Sequence, residues 1–152
     1  MLDVFLHLDG IKGESADAKH KDEMHIETFT FCLDHAPAGV GKVKVHDIRL
    51  TKKIDKSSPG LFSACASGER IKEGRLTVRK AGEKPLEYIK FKLSDVLVSS
   101  YQVGHADGEE IPTDSFTLSC AKFQIEYQEQ KADGSGVPGG QMGWDVKANA
   151  NF

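Results

Sequence analysis

Residues 76–94, LTVRKAGEKPLEYIKFKLS, contain two runs in which apolar and polar residues alternate strictly, at 76–79 and at 89–94. A period of two turns successive side chains to opposite faces, which is typical of a half-buried β-strand. Ala81 and Gly82 lie between the two runs. We therefore expect two antiparallel strands joined by a hairpin turn at these residues.

The same alternation recurs along most of the sequence, which predicts a mainly β protein. In residues 114–128 the apolar positions change phase near Ala121, and a β-bulge at that point would return the side chains to the inner face. Long strands that bend in this way suit a small closed antiparallel β-barrel, which is the fold we expect.

One segment departs from this pattern and predicts a single short α-helix over residues 59–67. Ser58 before Pro59 is a favourable N-cap, and Gly68 is a favourable C-terminal stop. We expect one stripe of this helix to cover an open end or side of the barrel. The stripe consists of Leu61, Phe62 and Cys65.

Towards the end of the sequence lies a glycine-rich segment, residues 131–143, which predicts a loop. Beyond it Trp144, Val146 and Phe152 indicate that the C-terminal end docks again on the barrel. With no room for a second core, we expect residues 1–152 to form a single domain.

Composition excludes several classes of function. The net charge of −3 gives no general attraction for nucleic acid, and no apolar run is long enough for a membrane-spanning helix. Cys32, Cys65 and Cys120 lie far apart among apolar or small residues, and we expect them to be reduced core thiols.

The residue patterns also give no support for catalysis, a metal or a cofactor. Paired spacings such as CxxC are missing, and the glycine-rich tail opens no predicted helix that could bind phosphate. Ser99 and Ser100 lie near His105 in sequence but lack the setting of a nucleophile elbow. We therefore expect a protein that is not an enzyme.

Residues 70–92 form the most basic part of the sequence, with eight lysines and arginines against three glutamates. Three interpretations are open: a nucleic-acid groove, a solvated strand face, or a contact in which this face meets an acidic face of the next copy. The first would need aromatic residues on the same exposed face. The candidate residues for the subunit contact are Arg75, Arg79, Lys90 and Lys92.

Several segments, in their order and spacing, resemble the Hcp (haemolysin-coregulated protein) family of the type VI secretion system. They are LDGIKGES at 8–15, HKDE at 20–23, LTVRKAGEKPLEY at 76–88, DVLVSS at 95–100, QKADGSG at 130–136 and GWDVKAN at 143–149. The resemblance implies a structural subunit of the system's inner tube. Six copies close into a ring, rings stack into a hollow tube, and effector proteins are carried or chaperoned in the lumen.

The resemblance further implies the partners and the route of this protein. The partners are other copies in a homo-hexamer, lumen effectors, and the tip (spike) and sheath components. The route begins in the bacterial cytoplasm and ends in secretion without a cleaved signal peptide. The resemblance also favours the subunit contact among the three interpretations of the basic residues 70–92. The connection at 34–42 is shorter than the loop that many members extend toward the adjacent ring, so stacking is expected to differ or weaken.

The resemblance gives the strand at residues 25–33 a particular role. Family members usually have a polar residue between two tryptophans in this strand, and that polar residue faces the lumen. This protein has Phe29, Thr30 and Phe31 at these positions. Alternation puts the two phenylalanines on one face and Thr28, Thr30 and Cys32 on the other, so we expect both threonines to contact effectors.

A second hypothesis belongs to a different class, a non-assembling β-barrel module that recognises an anionic ligand through residues 70–92. The two hypotheses differ in what charge reversal at Arg75 or Arg79 changes. A ring would change its mass, whereas a binding module would lose its ligand at unchanged mass.

Overall fold

The structure, a computed structural model, describes residues 2–37, 39, 41–80 and 85–152. The predicted turn residues Ala81 and Gly82 lie outside this part of the protein. The elements in sequence order are β1 Leu2–Leu8, β2 Met24–His25, β3 Thr28–Thr30, β4 Leu33–Asp34, β5 Lys44–Val45, β6 Ile48–Lys53, α1 Ser58–Ser67, β7 Ile71–Lys80, β8 Leu86–Gly104, β9 Thr113–Gln130, β10 Gly136–Asp145 and β11 Ala150–Asn151. The prediction of a mainly β protein with one helix is confirmed.

The antiparallel strands follow a path that returns to its starting segment. From β1 the pairing leads through β7, β8 and β9 to β6 and then to β3. β3 follows β2 closely in the sequence, and β2 pairs with β1. Between them Ile26 donates its N–H to the carbonyl of Val4 (2.9 Å), and Glu27 donates to that of Thr51 (2.8 Å). Residues 24–30 thus bind β1 with one half and β6 with the other, but the sheet does not close into the expected barrel, because β2 and β3 form no ladder with each other.

The inner face of this sheet holds the core that the alternation predicts. Leu76 and Val78 on β7 and Leu93 on β8 are at most 4% exposed. Burying a side chain of this kind stabilises the fold by roughly 1.5–3 kcal/mol.

The change of phase predicted at Ala121 is present, but the predicted bulge is not there. β8 and β9 keep one register past this point. On β8, Asp95 adopts the left-handed value φ +54°. As a result Leu93 and Val96 both turn into the core, although residues three positions apart on a regular strand point to opposite faces. The register shift lies further along β8, at Ser99.

Helix α1 begins one residue earlier than predicted and ends at Ser67. The next residue, Gly68, is the C-cap, has φ +70° and donates its N–H to the carbonyl of Ala64 (3.0 Å). Leu61 and Ala64 are buried, and Cys65 is half-buried beside them. The predicted inclusion of Phe62 in the buried stripe was wrong, because these three residues already fill the inner face at i, i+3 and i+4. Phe62 is 60% exposed.

The predicted N-cap was also wrong, because Ser58 binds inside the protein instead of capping the helix. Its hydroxyl donates to Asp114 Oδ2 (2.7 Å) and accepts from Lys52 Nζ (3.2 Å). Lys52 Nζ also donates to Asp114 Oδ2 (2.6 Å) and Asp55 Oδ1 (2.9 Å). Since Lys52 and Asp114 are fully buried, this cluster joins β6, β9 and the start of α1 by charged hydrogen bonds.

The predicted glycine-rich loop is mostly a strand. Residues 131–135 form the turn, and β10 begins at Gly136 and pairs with β9. For most of its length β10 bonds to one neighbour only, so it tolerates glycines and the Pro138 beside its register shift. The predicted docking of the end is confirmed, since Trp144 packs against the core and Phe152 donates its N–H to the carbonyl of Gly143 (3.3 Å).

The three cysteines are free thiols but do not all lie in the core. Cys32 is exposed, as the alternation of residues 28–32 predicts, and the expectation of a core thiol is wrong for it, because it follows β3 where the backbone leaves the sheet. Cys65 and Cys120 are half-buried, and burial raises the pKa of the Cys120 thiol to about 12. Among the described residues, no helix is both long and apolar enough to cross a bilayer.

Candidate functional site

Thr28 and Thr30 lie together on the outer face of β3, and both are exposed. Thr28 Oγ1 is 2.6 Å from Thr51 Oγ1 on β6, with which β3 pairs. The face assignment predicted from alternation is confirmed for both residues. Their contact with effectors stays a prediction.

The two phenylalanines on either side of Thr30 turn inward, as expected. The ring centroid of Phe29 is 6.2 Å from that of Phe91. The ring of Phe31 lies 5.8 Å from Phe91 and 5.1 Å from Phe123. These aromatic contacts fix the strand so that its threonines must point out.

The exposed polar face continues across neighbouring strands. The register places Thr30 beside Arg49, Arg49 beside Thr117, and Thr117 beside Ser100. Thr117 Oγ1 is 2.6 Å from the hydroxyl of Ser100 and 2.7 Å from that of Ser99. We call this surface the hydroxyl face and define it by Thr28, Thr30, Arg49, Thr51, Ser99, Ser100 and Thr117. The sequence analysis found only its β3 residues, because alternation within one strand does not reveal which distant strand lies beside it.

Arg79 is not available as a surface cation. Its side chain is 11% exposed, and its guanidinium donates to both carboxylate oxygens of Asp17 (2.8 and 2.9 Å) and to Asp3 (3.0 Å). It also lies over the Phe5 ring, 4.9 Å from the centroid. The hydrogen bond from Arg79 lowers the pKa of Asp17 to about 2. A network within the protein therefore occupies a group that was predicted to meet a neighbouring subunit.

Arg75 and Lys92, two more of the predicted contact residues, are cross-strand neighbours. Their side chains are 39% and 51% exposed, and both line an outer groove of about 380 Å³. Lys90 lies nearby on β8 and is 31% exposed. Each cation has an acidic partner within the same copy: Glu23 for Arg75 (3.1 Å), Glu87 for Lys90 (3.4 Å) and Glu126 for Lys92 (3.2 Å).

The positively charged side chains of residues 70–92 are thus largely paired with carboxylates of the same folded copy. Arg70 adds a further example, since it donates to both carboxylate oxygens of Asp95 (2.9 and 3.1 Å). Most of the acidic partners come from other parts of the sequence, which the charge count of one segment could not show. This arrangement weakens the anionic-ligand hypothesis and the nucleic-acid interpretation, because both need a positive field.

A second surface was not predicted at all, an apolar groove of about 240 Å³ near β4. Two of its residues, Leu33 and Met142, are 46% and 42% exposed. It is lined by Phe31, Leu33, Phe91, Phe123, Ile125 and Met142. Alternation marks Phe91, Phe123 and Ile125 as inward-facing, but it does not show that Leu33 and Met142 lie exposed beside them. We call this surface the apolar groove.

The hydroxyls and histidine considered for catalysis have other partners. Ser99 Oγ donates to Asp47 Oδ2 (2.6 Å), whereas His105 Nε2 lies 2.8 Å from the carbonyl of Glu109 in its own loop. Within the described ranges, no three His, Cys, Asp or Glu side chains are grouped as a metal would require.

Comparison with known proteins agrees with this fold. The model of the family described as "Type VI secretion system effector, Hcp" matches residues 5–127. The chain belongs to this Hcp family. It is 39% identical over 158 residues to Protein hcp1 of Pseudomonas aeruginosa, and the match spans 97% of each sequence. The resemblance noted in the sequence is confirmed.

Solved structures extend the similarity to the whole Hcp fold. The crystal structure of Hcp1 from Salmonella typhimurium has 35% sequence identity and a TM-score of 0.82, and the match covers 99% of both proteins. A structure described as a type six secretion system protein has 26% identity and a TM-score of 0.92, and there the match covers 100% of both proteins. Strands β10 and β11 both lie wholly beyond the residues matched by the family model, but these structures include them in the shared fold.

Proposed function

We propose that this Hcp protein is the structural subunit of the inner tube of a type VI secretion system. Six copies close into a ring, rings stack into a tube within the sheath and behind the spike, and the tube leaves the cell with effector proteins in its lumen. The protein acts by assembly and binding rather than by catalysis.

The observation that carries the ring is the apolar groove. A single copy leaves aromatic and aliphatic side chains partly exposed there, and such patches are typical of protein contact sites. A neighbour that covers Leu33 and Met142 would remove them from water. A head-to-tail contact of this kind uses different surfaces on its two sides and can close into a ring.

The hydroxyl face is the proposed wall of the lumen. Its exposed groups are small and mostly uncharged, and the aromatic anchors below Thr28 and Thr30 hold it firmly. A wall of this kind offers hydrogen bonds to passing proteins without large apolar contacts that would retain them.

Three of the four residues predicted for the basic subunit contact stay in the proposal. Arg75, Lys90 and Lys92 have partly exposed side chains and can meet carboxylates of a neighbour at the rim of the interface, where charge affects orientation more than affinity. Arg79 is left out because it is already bound within its own copy.

The test is the native mass of the purified protein, measured by size exclusion with light scattering over a wide concentration range. We expect a mass near six protomers. Leu33→Asp and Met142→Asp should lower it, because each places a charge in the apolar groove. Ile111→Asp is the matched control, since Ile111 is 48% exposed outside the groove.

A monomer at every concentration would contradict the ring as the resting state of this protein. If the ring forms but both groove variants keep it, the ring contact lies elsewhere.

A further inference from the structure

Two polar side chains on the hydroxyl face differ from the rest. Thr28 bonds to Thr51, and Ser99 and Ser100 bond to Thr117. Thr30 and Arg49 have no hydrogen-bond or ion-pair partner among the described residues, although the register places them side by side on β3 and β6.

Arg49 is exposed, and it differs from the other cation of β6 that faces outward. Lys53 has Glu109 at 3.1 Å and Glu27 at 4.0 Å. Asp47 precedes Arg49 by two residues, but its Oδ2 accepts the hydroxyl of Ser99 at 2.6 Å. Within the described residues, Arg49 therefore presents its guanidinium to solvent without a carboxylate from its own copy.

We propose that Thr30 and Arg49 form a receptor for a carboxylate on the transported protein. A guanidinium offers two parallel N–H donors that fit the two oxygens of a carboxylate, and the hydroxyl of Thr30 can donate a third hydrogen bond. The neighbouring hydroxyls bond to each other, so they do not compete for the ligand. The inference rests on the proposed function, because it places this face in the lumen.

The same chemistry can come from an Asp or Glu side chain or from the carboxyl terminus of a polypeptide. Two fluorescent peptides separate these sources. One is hexaglutamate with both ends blocked, and the other is hexaglutamine with a blocked N-terminus and a free terminal carboxylate. Binding to the full-length protein is measured by fluorescence anisotropy, and light scattering gives the mass of the same samples.

We expect at least one peptide to bind. Arg49→Gln should weaken that binding about tenfold or more, which is the loss of one charge-assisted interaction. Arg49→Lys should fall in between, since it keeps the charge but loses the paired donors. Thr30→Val should weaken binding about fivefold, and Thr30→Ser should restore it.

Two further variants make the test specific to this pair. Asp47→Asn should strengthen binding, because it removes a carboxylate that lies close to Arg49 in sequence and repels the ligand. Lys53→Gln should have little effect, since Lys53 is already paired.

Three results would overturn the proposal: no binding of either peptide, equal losses in the Arg49→Gln and Lys53→Gln variants, or a lower assembly mass in the Arg49→Gln variant. The last would assign Arg49 to the subunit contact. A ring that ignores both peptides refutes only the carboxylate receptor, whereas a monomer that binds through Arg49 refutes only the ring.

Discussion

Replacing Lys52 by methionine should destabilise the protein more than any surface charge change. Lys52 is fully buried, and its Nζ is the main positive charge facing Asp114, which is also fully buried. Methionine keeps most of the length of the side chain and removes the charge. The change therefore tests the ion pair rather than the packing.

The expected loss of stability in Lys52→Met follows from the groups that remain around Asp114. Without Lys52, Oδ2 keeps the Ser58 hydroxyl at 2.7 Å, the Tyr101 side chain lies nearby, and Oδ1 has no hydrogen-bond partner in the described part of the protein. A buried carboxylate that loses its counter-charge costs about 3–5 kcal/mol. For a protein of this size that corresponds to a fall in Tm of roughly 10 °C.

The assay is urea unfolding, with all variants compared at one protein concentration because assembly adds to apparent stability. Lys53→Met is the matched control. Its side chain is the next along β6, is 45% exposed and pairs with Glu109, so it should cost at most about 0.5 kcal/mol. The double variant, Lys52→Met with Asp114→Asn, should lose about 2 kcal/mol less free energy of unfolding than the sum of the losses of the two single variants.

A loss below about 1 kcal/mol for Lys52→Met, or strict additivity of the two changes, would refute the reasoning. Either result would mean that water or a rearranged neighbouring group compensates Asp114.

Three other changes test separate features. Because Arg79 lowers the pKa of Asp17 to about 2, Asp17 contributes stability above its ordinary pKa of 3.8, and this contribution is lost as pH falls toward 2. In urea unfolding, the free energy of unfolding of Asp17→Asn should therefore change with pH by about 1 kcal/mol less over that interval than that of the unchanged protein, after allowance for solvent screening. An equal change with pH in the two proteins would contradict the assignment. Gly13→Ala should cost about 1–3 kcal/mol in the same assay, because its Cβ would lie 2.4 Å from the carbonyl oxygen of Glu23, whereas Gly104→Ala, with open space around it, is the control. Asp95→Gly should lower thermal stability less than Asp95→Val, since both lose the Arg70 pair but only valine is strained at φ +54°, and equal losses would show that the backbone can relax.

The strands and the helix could be predicted because each depends on a local pattern. Alternation located β7 and β8, and Pro59 and Gly68 located α1 within one residue. β10 was missed because glycine and proline usually indicate a loop, and nothing local shows that the segment lies at the edge of a sheet. Ser58 was misread for a similar reason, since its partner Asp114 is 56 residues away.

The candidate surfaces divide in the same way. Thr28 and Thr30 were found because their strand has two clear faces. Arg49 was missed, since only the register between β3 and β6 places it beside Thr30. Arg79 was assigned to the surface because a charge count cannot show that Asp3 and Asp17 fold beside it.

The segment 24–30, which binds β1 with one half and β6 with the other, also determines how the protein reaches its folded state. Pairing of Leu2 with Lys80 and of Ile48 with Leu118 joins distant parts of the sequence, and such contacts form slowly. β1 is synthesised early but must wait for β7. Until β1 and β6 both reach the segment 24–30, their backbone donors and acceptors stay open to strands of other newly made copies. The speed of this one step therefore governs how much of the protein is lost to strand exchange between copies.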